Sequence, residues 1–119
     1  MDINTVTRHY LIAALWSSND DVGEPLDYAH DLDSLAPESI AKAQADCRAF
    51  VKECAELLTG LNDEQVGHDF WLTRNHHGAG FWDRDLGAVG YRLTEVSHSF
   101  GECSLYEGDD GFIYMQPGA

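Results

Sequence analysis

Two adjacent histidines, His76 and His77, lie in the run HDFWLTRNHHGAGFWDRDLG at residues 68–87, with Asp69 and Asp83 on either side. Imidazole titrates near neutrality and ligates metals, so the pair is the first place to look for general-base or metal chemistry. Spacing argues against both. Sequence neighbours usually point apart, and the H-E-x-x-H arrangement that sets two rings on one helix face is absent. A third ligand would have to be His68 or His98, and no spacing rule supports either. The expectation is an exposed turn that holds no metal. Gly78-Ala79-Gly80 suggests a phosphate loop, but position 83 is Asp where the dinucleotide fingerprint needs glycine, and no G-x-x-x-x-G-K occurs. Gly78 is instead expected to supply a positive φ, and Gly80 to let Trp71 or Phe81 pack over bare backbone. Asp31-Leu32-Asp33 and Asp109-Asp110-Gly111 are fragments of calcium loops without the remaining ligands. No serine stands in a G-x-S-x-G context. Residue types and spacing therefore assign no catalytic residue, cofactor or metal, and the chain is not expected to be an enzyme.

Charge is the dominant property of the composition. Twenty-one Asp and Glu against seven Lys and Arg leave a net −14 over 119 residues. Direct nucleic-acid binding is disfavoured, because such proteins present a basic face to phosphates. The carboxylates concentrate in one tract: Asp20, Asp21, Glu24, Asp27, Asp31 and Asp33 occur with no Lys or Arg among them. Asp20, Glu24, Asp27 and Asp31 have the spacing of one helical stripe, but Pro25 interrupts it, so a loop with one short helical turn near Leu26–Asp31 is expected. An exposed array of that density resembles a phosphate backbone, and its complement is a Lys/Arg-lined channel. Solubility through self-repulsion is the alternative account.

The remaining sequence supplies a frame for that tract. The length suits one domain, 1–119. The longest apolar run, Leu11–Trp16, is far short of the ~20 residues of a membrane span, and no signal-peptide pattern opens the chain. A cytoplasmic protein without membrane contact is expected. Cys47 and Cys54 would lie about 10.5 Å apart on a helix, beyond disulfide reach, and Cys103 has no local partner, so reduced buried thiols are expected. Residues 4–17 read as a helix capped by Asn4 or Thr5. Pro37 opens a second, whose face of Ile40, Ala43, Cys47, Phe50 or Val51, Cys54 and Leu57 or Leu58 continues to a stop at Gly60. His68–Arg74 and Gly80–Asp83 read as an aromatic hairpin, Tyr91–Phe100 as a third helix, and Ser104–Glu107 with Phe112–Met115 as a hairpin about Gly108–Gly111. The expected fold is α+β: two N-terminal helices on an antiparallel sheet of about four strands, with the third helix between two hairpins. On strands with a side-chain period of two, Trp71 or Trp82 would face outward as an interface anchor, although burial in the core is the simpler fate.

The run Asp69-Phe-Trp-Leu-Thr-Arg-Asn with His77-Gly-Ala-Gly-Phe-Trp-Asp-Arg, together with Phe100-Gly-Glu and Leu105-Tyr-Glu-Gly-Asp-Asp-Gly-Phe-Ile-Tyr114, resembles a family of small uncharacterised bacteriophage and mobile-element proteins. The likeness covers most of residues 69–114 and does not extend to the N-terminal half. It implies no catalytic residues. It implies a setting in which small acidic proteins counter host defences, anti-CRISPR and anti-restriction proteins among them. On that basis the expected function is an acidic inhibitor, acting in the host cytoplasm on a basic surface of a nucleic-acid-handling defence complex, of anti-CRISPR type and partly a nucleic-acid mimic. Asp20, Asp21, Glu24, Asp27, Asp31, Asp33, Trp71 and Trp82 are the partner-binding candidates. Two alternatives stand beside it: a small enzyme or metal-binding domain using His76 and His77, and a phage accessory protein of purely structural role. The oligomeric state is not legible.

Overall fold

In a computed structural model, residues 1–118 are described, and they form an α+β chain. Four helices, α1 (Ile3–Ser17), α2 (Pro37–Glu53), α3 (Asp63–Arg74) and α4 (Ala88–Ser99), precede a two-stranded hairpin, β1 (Cys103–Glu107) and β2 (Ile113–Pro117). Single 3₁₀ turns occur at Leu26–Tyr28, Leu32–Ser34 and Phe81–Asp83.

Local chemistry explains most of these boundaries. Asp2, rather than Asn4 or Thr5, caps α1, its carboxylate accepting the Asn4 N–H at 2.9 Å. Proline occupies the first turn of α2, where its missing N–H costs nothing. That helix ends at Glu53, and turns carry the chain to Gly60, whose φ of +83° closes the segment. The C-terminal hairpin pairs antiparallel with Leu105 opposite Met115 and Glu107 opposite Ile113. Cys103, Leu105 and Ile113 face the core.

The expected first hairpin is absent, so the sheet has two strands instead of about four. Residues 68–74 belong to α3, and 81–83 form a 3₁₀ turn. The start of α3 overrides the β preference of its aromatics. Asn62 accepts the Gln65 N–H at 3.1 Å, and Asp63 and Glu64 fill the first turn, where the helix dipole favours negative charge. Nearly the whole circumference of the helix is then buried, Phe70, Trp71 and Leu72 together.

Helices α1 and α3 form the centre of the molecule. Their contacts advance in step: the Asp2 N–H donates to Asp63, Gly67 lies against Val6 and Tyr10, and the Trp71 indole donates to Ser17. The two therefore run side by side in one direction. A Cβ on Gly67 would come within 2.1 Å of the Val6 carbonyl oxygen, so only glycine permits this approach. Around them Phe50 of α2 stacks on Phe70 at 4.1 Å, with Phe81 and Phe100 packed on the same group.

One buried cation ties these elements together. Arg74 donates to Asp46 Oδ2 at 2.8 Å, to the Tyr10 hydroxyl at 2.9 Å, and to the carbonyls of Phe100 and Gly101 at 2.9 and 2.8 Å. Burial works against its charge, but Tyr10, Cys103 and Asp46 around it raise its pKa all the same. Beside it, burial pushes the Tyr10 hydroxyl well above the usual tyrosine range.

Candidate functional site

The acidic tract is a loop held at both ends by main-chain bonds. At its start Leu26 N–H donates to the Ser18 carbonyl at 2.8 Å and Asn19 bridges Pro25. At its end Ala36 N–H donates to the Ile113 carbonyl at 2.9 Å, and Leu35 pairs with Ile113 in parallel sense. Leu26 and Leu35, both buried, fix the loop to the core. Two of the six carboxylates shape the loop itself. Asp20 accepts the N–H groups of Val22 and Glu24, and Asp31 caps the second 3₁₀ turn through the Asp33 N–H. Asp21, Glu24, Asp27 and Asp33 are exposed, and their side chains make no bond within the described protein.

Docking the loop on the hairpin enlarges the acidic face. His30 Nε2 lies 2.6 Å from Glu107, and the turn that follows carries Asp109 and Asp110. Asp110 accepts from the Tyr114 hydroxyl and the Phe112 N–H, which hold its carboxyl below the usual range. The same bond pushes Tyr114 up to about 12. Residues 9–41 and 93–119 contain no Lys or Arg. The fold lays these two cation-free segments against each other, while Lys42, Arg48, Lys52 and Arg92 lie on α2 and α4. Sequence reasoning placed the array in residues 20–33 alone; the contribution of Glu107, Asp109 and Asp110 comes from a pairing too distant in sequence to read.

The two tryptophans part ways. Trp71 is 2% exposed, because a helix buried all round leaves it no outward face, so it is a core residue and not an interface anchor. Trp82 is 59% exposed on the turn before α4, away from the acidic loop in sequence and next to Asp83. Within the loop the exposed apolar groups are Val22 and Tyr28, the latter 74% exposed among the carboxylates. A lone aromatic in a polar stretch, two residues after the buried Leu26, was the available sequence signal for it.

His76 and His77 do not converge. His76 stacks on His98 at 4.2 Å, with Glu102 3.8 Å from its Nε2. His77 lines a separate cleft with Ser18, Asn75 and Ser104. Among the described residues no three His, Cys, Asp or Glu side chains are gathered as a metal site. Positive φ falls on His76 and Ala79 rather than on Gly78. Gly80 accommodates Thr73, whose hydroxyl would sit 2.2 Å from an added Cβ, rather than Trp71 or Phe81. All three thiols are free and buried; burial pushes Cys47 up to about 12 and Cys54 to about 11, so neither is a thiolate nucleophile near neutrality. No helix among the described residues is long and apolar enough to cross a membrane. Compared with protein-family models, curated proteins and solved structures, the chain finds no match.

Proposed function

We propose that this chain is a non-enzymatic binding protein whose loop–hairpin face engages a Lys/Arg-lined surface shaped to hold nucleic acid. In the phage or mobile-element setting that the 69–114 motif implies, such a protein inhibits a host defence complex, of anti-CRISPR type, by occupying the phosphate path. The observation that supports this reading is the placement of unpaired carboxylates on a loop anchored at both ends. Among the described residues, Asp21, Glu24, Asp27 and Asp33 form no ion pair, and the anchored backbone spares the partner much of the ordering cost. Such charges steer encounter and set the on-rate. Tyr28 supplies apolar contact in the same loop.

The test is association with nucleic-acid-binding defence complexes of the host at rising salt. The charge reversals belong at Asp21, Asp27 and Asp33, because Asp20 and Asp31 also hold the loop's shape. The expected result is binding that weakens steeply with salt and is lost in the triple reversal, with competition by the complex's own nucleic acid. Binding indifferent to both salt and reversal would refute the proposal and leave the acidity as a solubility device.

A further inference from the structure

An acidic face alone gives fast encounter but little residence, since exposed charge pairs contribute only about 0–1 kcal/mol each. Durable interfaces add a desolvated apolar centre. Trp71 is buried, and beside the contact that Tyr28 offers there is a cleft of about 440 Å³ where the second 3₁₀ turn meets α1 and α2. Its volume falls within the roughly 300–1,000 Å³ of ligand pockets. Leu11 and Leu35, both buried, and the half-buried Leu32 and Ile40 line it. Arg8 on α1 and Asp33 on the loop are its charged residues, and the two form no ion pair with each other.

We infer that this cleft receives a large aliphatic or aromatic side chain of the basic partner, one flanked in the partner's sequence by Lys or Arg. The inference rests on the acidic-face reading above and names what that face grips. Charge complementarity selects the occupant. Leu32 lies between Asp31 and Asp33, so an apolar group entering over Leu32 brings its flanking cations onto two exposed carboxylates. Arg8 and Gln44 on the opposite rim are free to donate to main-chain carbonyls of the entering segment. A second copy of this chain is a poor occupant. Each copy carries −14, so two acidic faces brought together repel. The fit is the reverse of the one sequence reasoning expected: the partner supplies the anchor, and this chain supplies the socket.

Two capped peptides separate this inference from the reading beneath it: Arg-Arg-Leu-Arg-Arg and Arg-Arg-Gly-Arg-Arg, titrated into the ¹⁵N-labelled protein. The leucine peptide is expected to bind about tenfold more tightly or better, from burial of one aliphatic side chain. It should shift the amides of Leu11, Leu32, Asp33 and Ile40, while the glycine peptide shifts the exposed acidic residues alone. Gln44→Trp, at an exposed rim position, should fill the cleft and abolish the leucine advantage without changing binding of the glycine peptide. Equal affinities, with shifts confined to residues 20–31 and 107–110, would overturn the socket and leave the acidic face standing. Failure of both peptides to bind at low salt would overturn both.

Discussion

Replacing Arg74 with methionine keeps most of the aliphatic volume but removes the guanidinium that four acceptors share. Asp46 is then left 9% exposed, with Lys42 at 3.0 Å as its one remaining cation, and that lysine is itself half in water. The carbonyls of Phe100 and Gly101 lose their side-chain donors. Breaking a buried pair by deleting one partner costs about 3–5 kcal/mol, because the surviving charge stays desolvated. Against a total of about 5–15 kcal/mol, that is a large share of the stability. With a urea slope of about 2 kcal/mol per molar, the unfolding midpoint should fall by about 1.5–2.5 M. Urea titrations of wild type, Arg74→Met, Asp46→Leu and the double variant give the coupling directly. The double variant should recover much of the loss, since an apolar pair of similar size leaves no orphaned charge. A single Arg74→Met variant within about 1 kcal/mol of wild type, or a double variant worse than the sum of its parts, would refute the idea that this cation organises the core.

Other expectations follow from the same geometry. Gly67→Ala should cost more than about 3 kcal/mol, measured as a fall in melting temperature, because its Cβ would overlap the Val6 carbonyl; Gly78→Ala, which meets nothing within 4 Å, should be nearly silent. The three cysteines should resist a thiol reagent at pH 8 in the native state and react in full on unfolding, since burial shields them and raises their pKa values. Tyr114 should ionise near pH 12, seen at 295 nm, and Tyr114→Phe should remove that step. Because its folded pKa lies above the ordinary value of 10.0, the Tyr114–Asp110 bond contributes fully below pH 10 and is lost as pH rises toward 12. The depressed Asp110 value has the opposite sense: its contribution is complete above the ordinary 3.8 and fades as pH falls through the lowered folded value.

The elements that sequence pattern located are those whose signals are local. Pro37 and the apolar stripe from Ile40 to Phe50 announced α2, and Asp-Gly between two apolar runs announced the β1–β2 hairpin. The sequence of α3 reads as a strand because Phe70 and Trp71 favour strands in isolation, while the signals for a helix lie upstream in Asn62, Asp63 and Glu64. Once that stretch is helical, the period-of-two argument that turned one tryptophan outward no longer applies, and Trp71 goes to the core. The acidic loop was legible from composition. Its extension through Glu107, Asp109 and Asp110 and its cleft were not, because the first depends on Leu35 meeting Ile113, 78 positions away, and the second on the loop folding back onto α1.

The wiring of Arg74 also bears on how the chain matures during synthesis. Its acceptors are drawn from Tyr10, Asp46, Phe100 and Gly101. A nascent chain emerging from the ribosome can form α1, α2 and α3 early, yet the guanidinium lacks two of its acceptors until residues 100 and 101 are out of the exit tunnel. Core closure therefore waits for residues 100 and 101, and the β1–β2 hairpin that follows them is also the segment that anchors the acidic loop. A chain stalled or clipped before Ile113 would therefore lack the main-chain anchor at the end of the acidic loop.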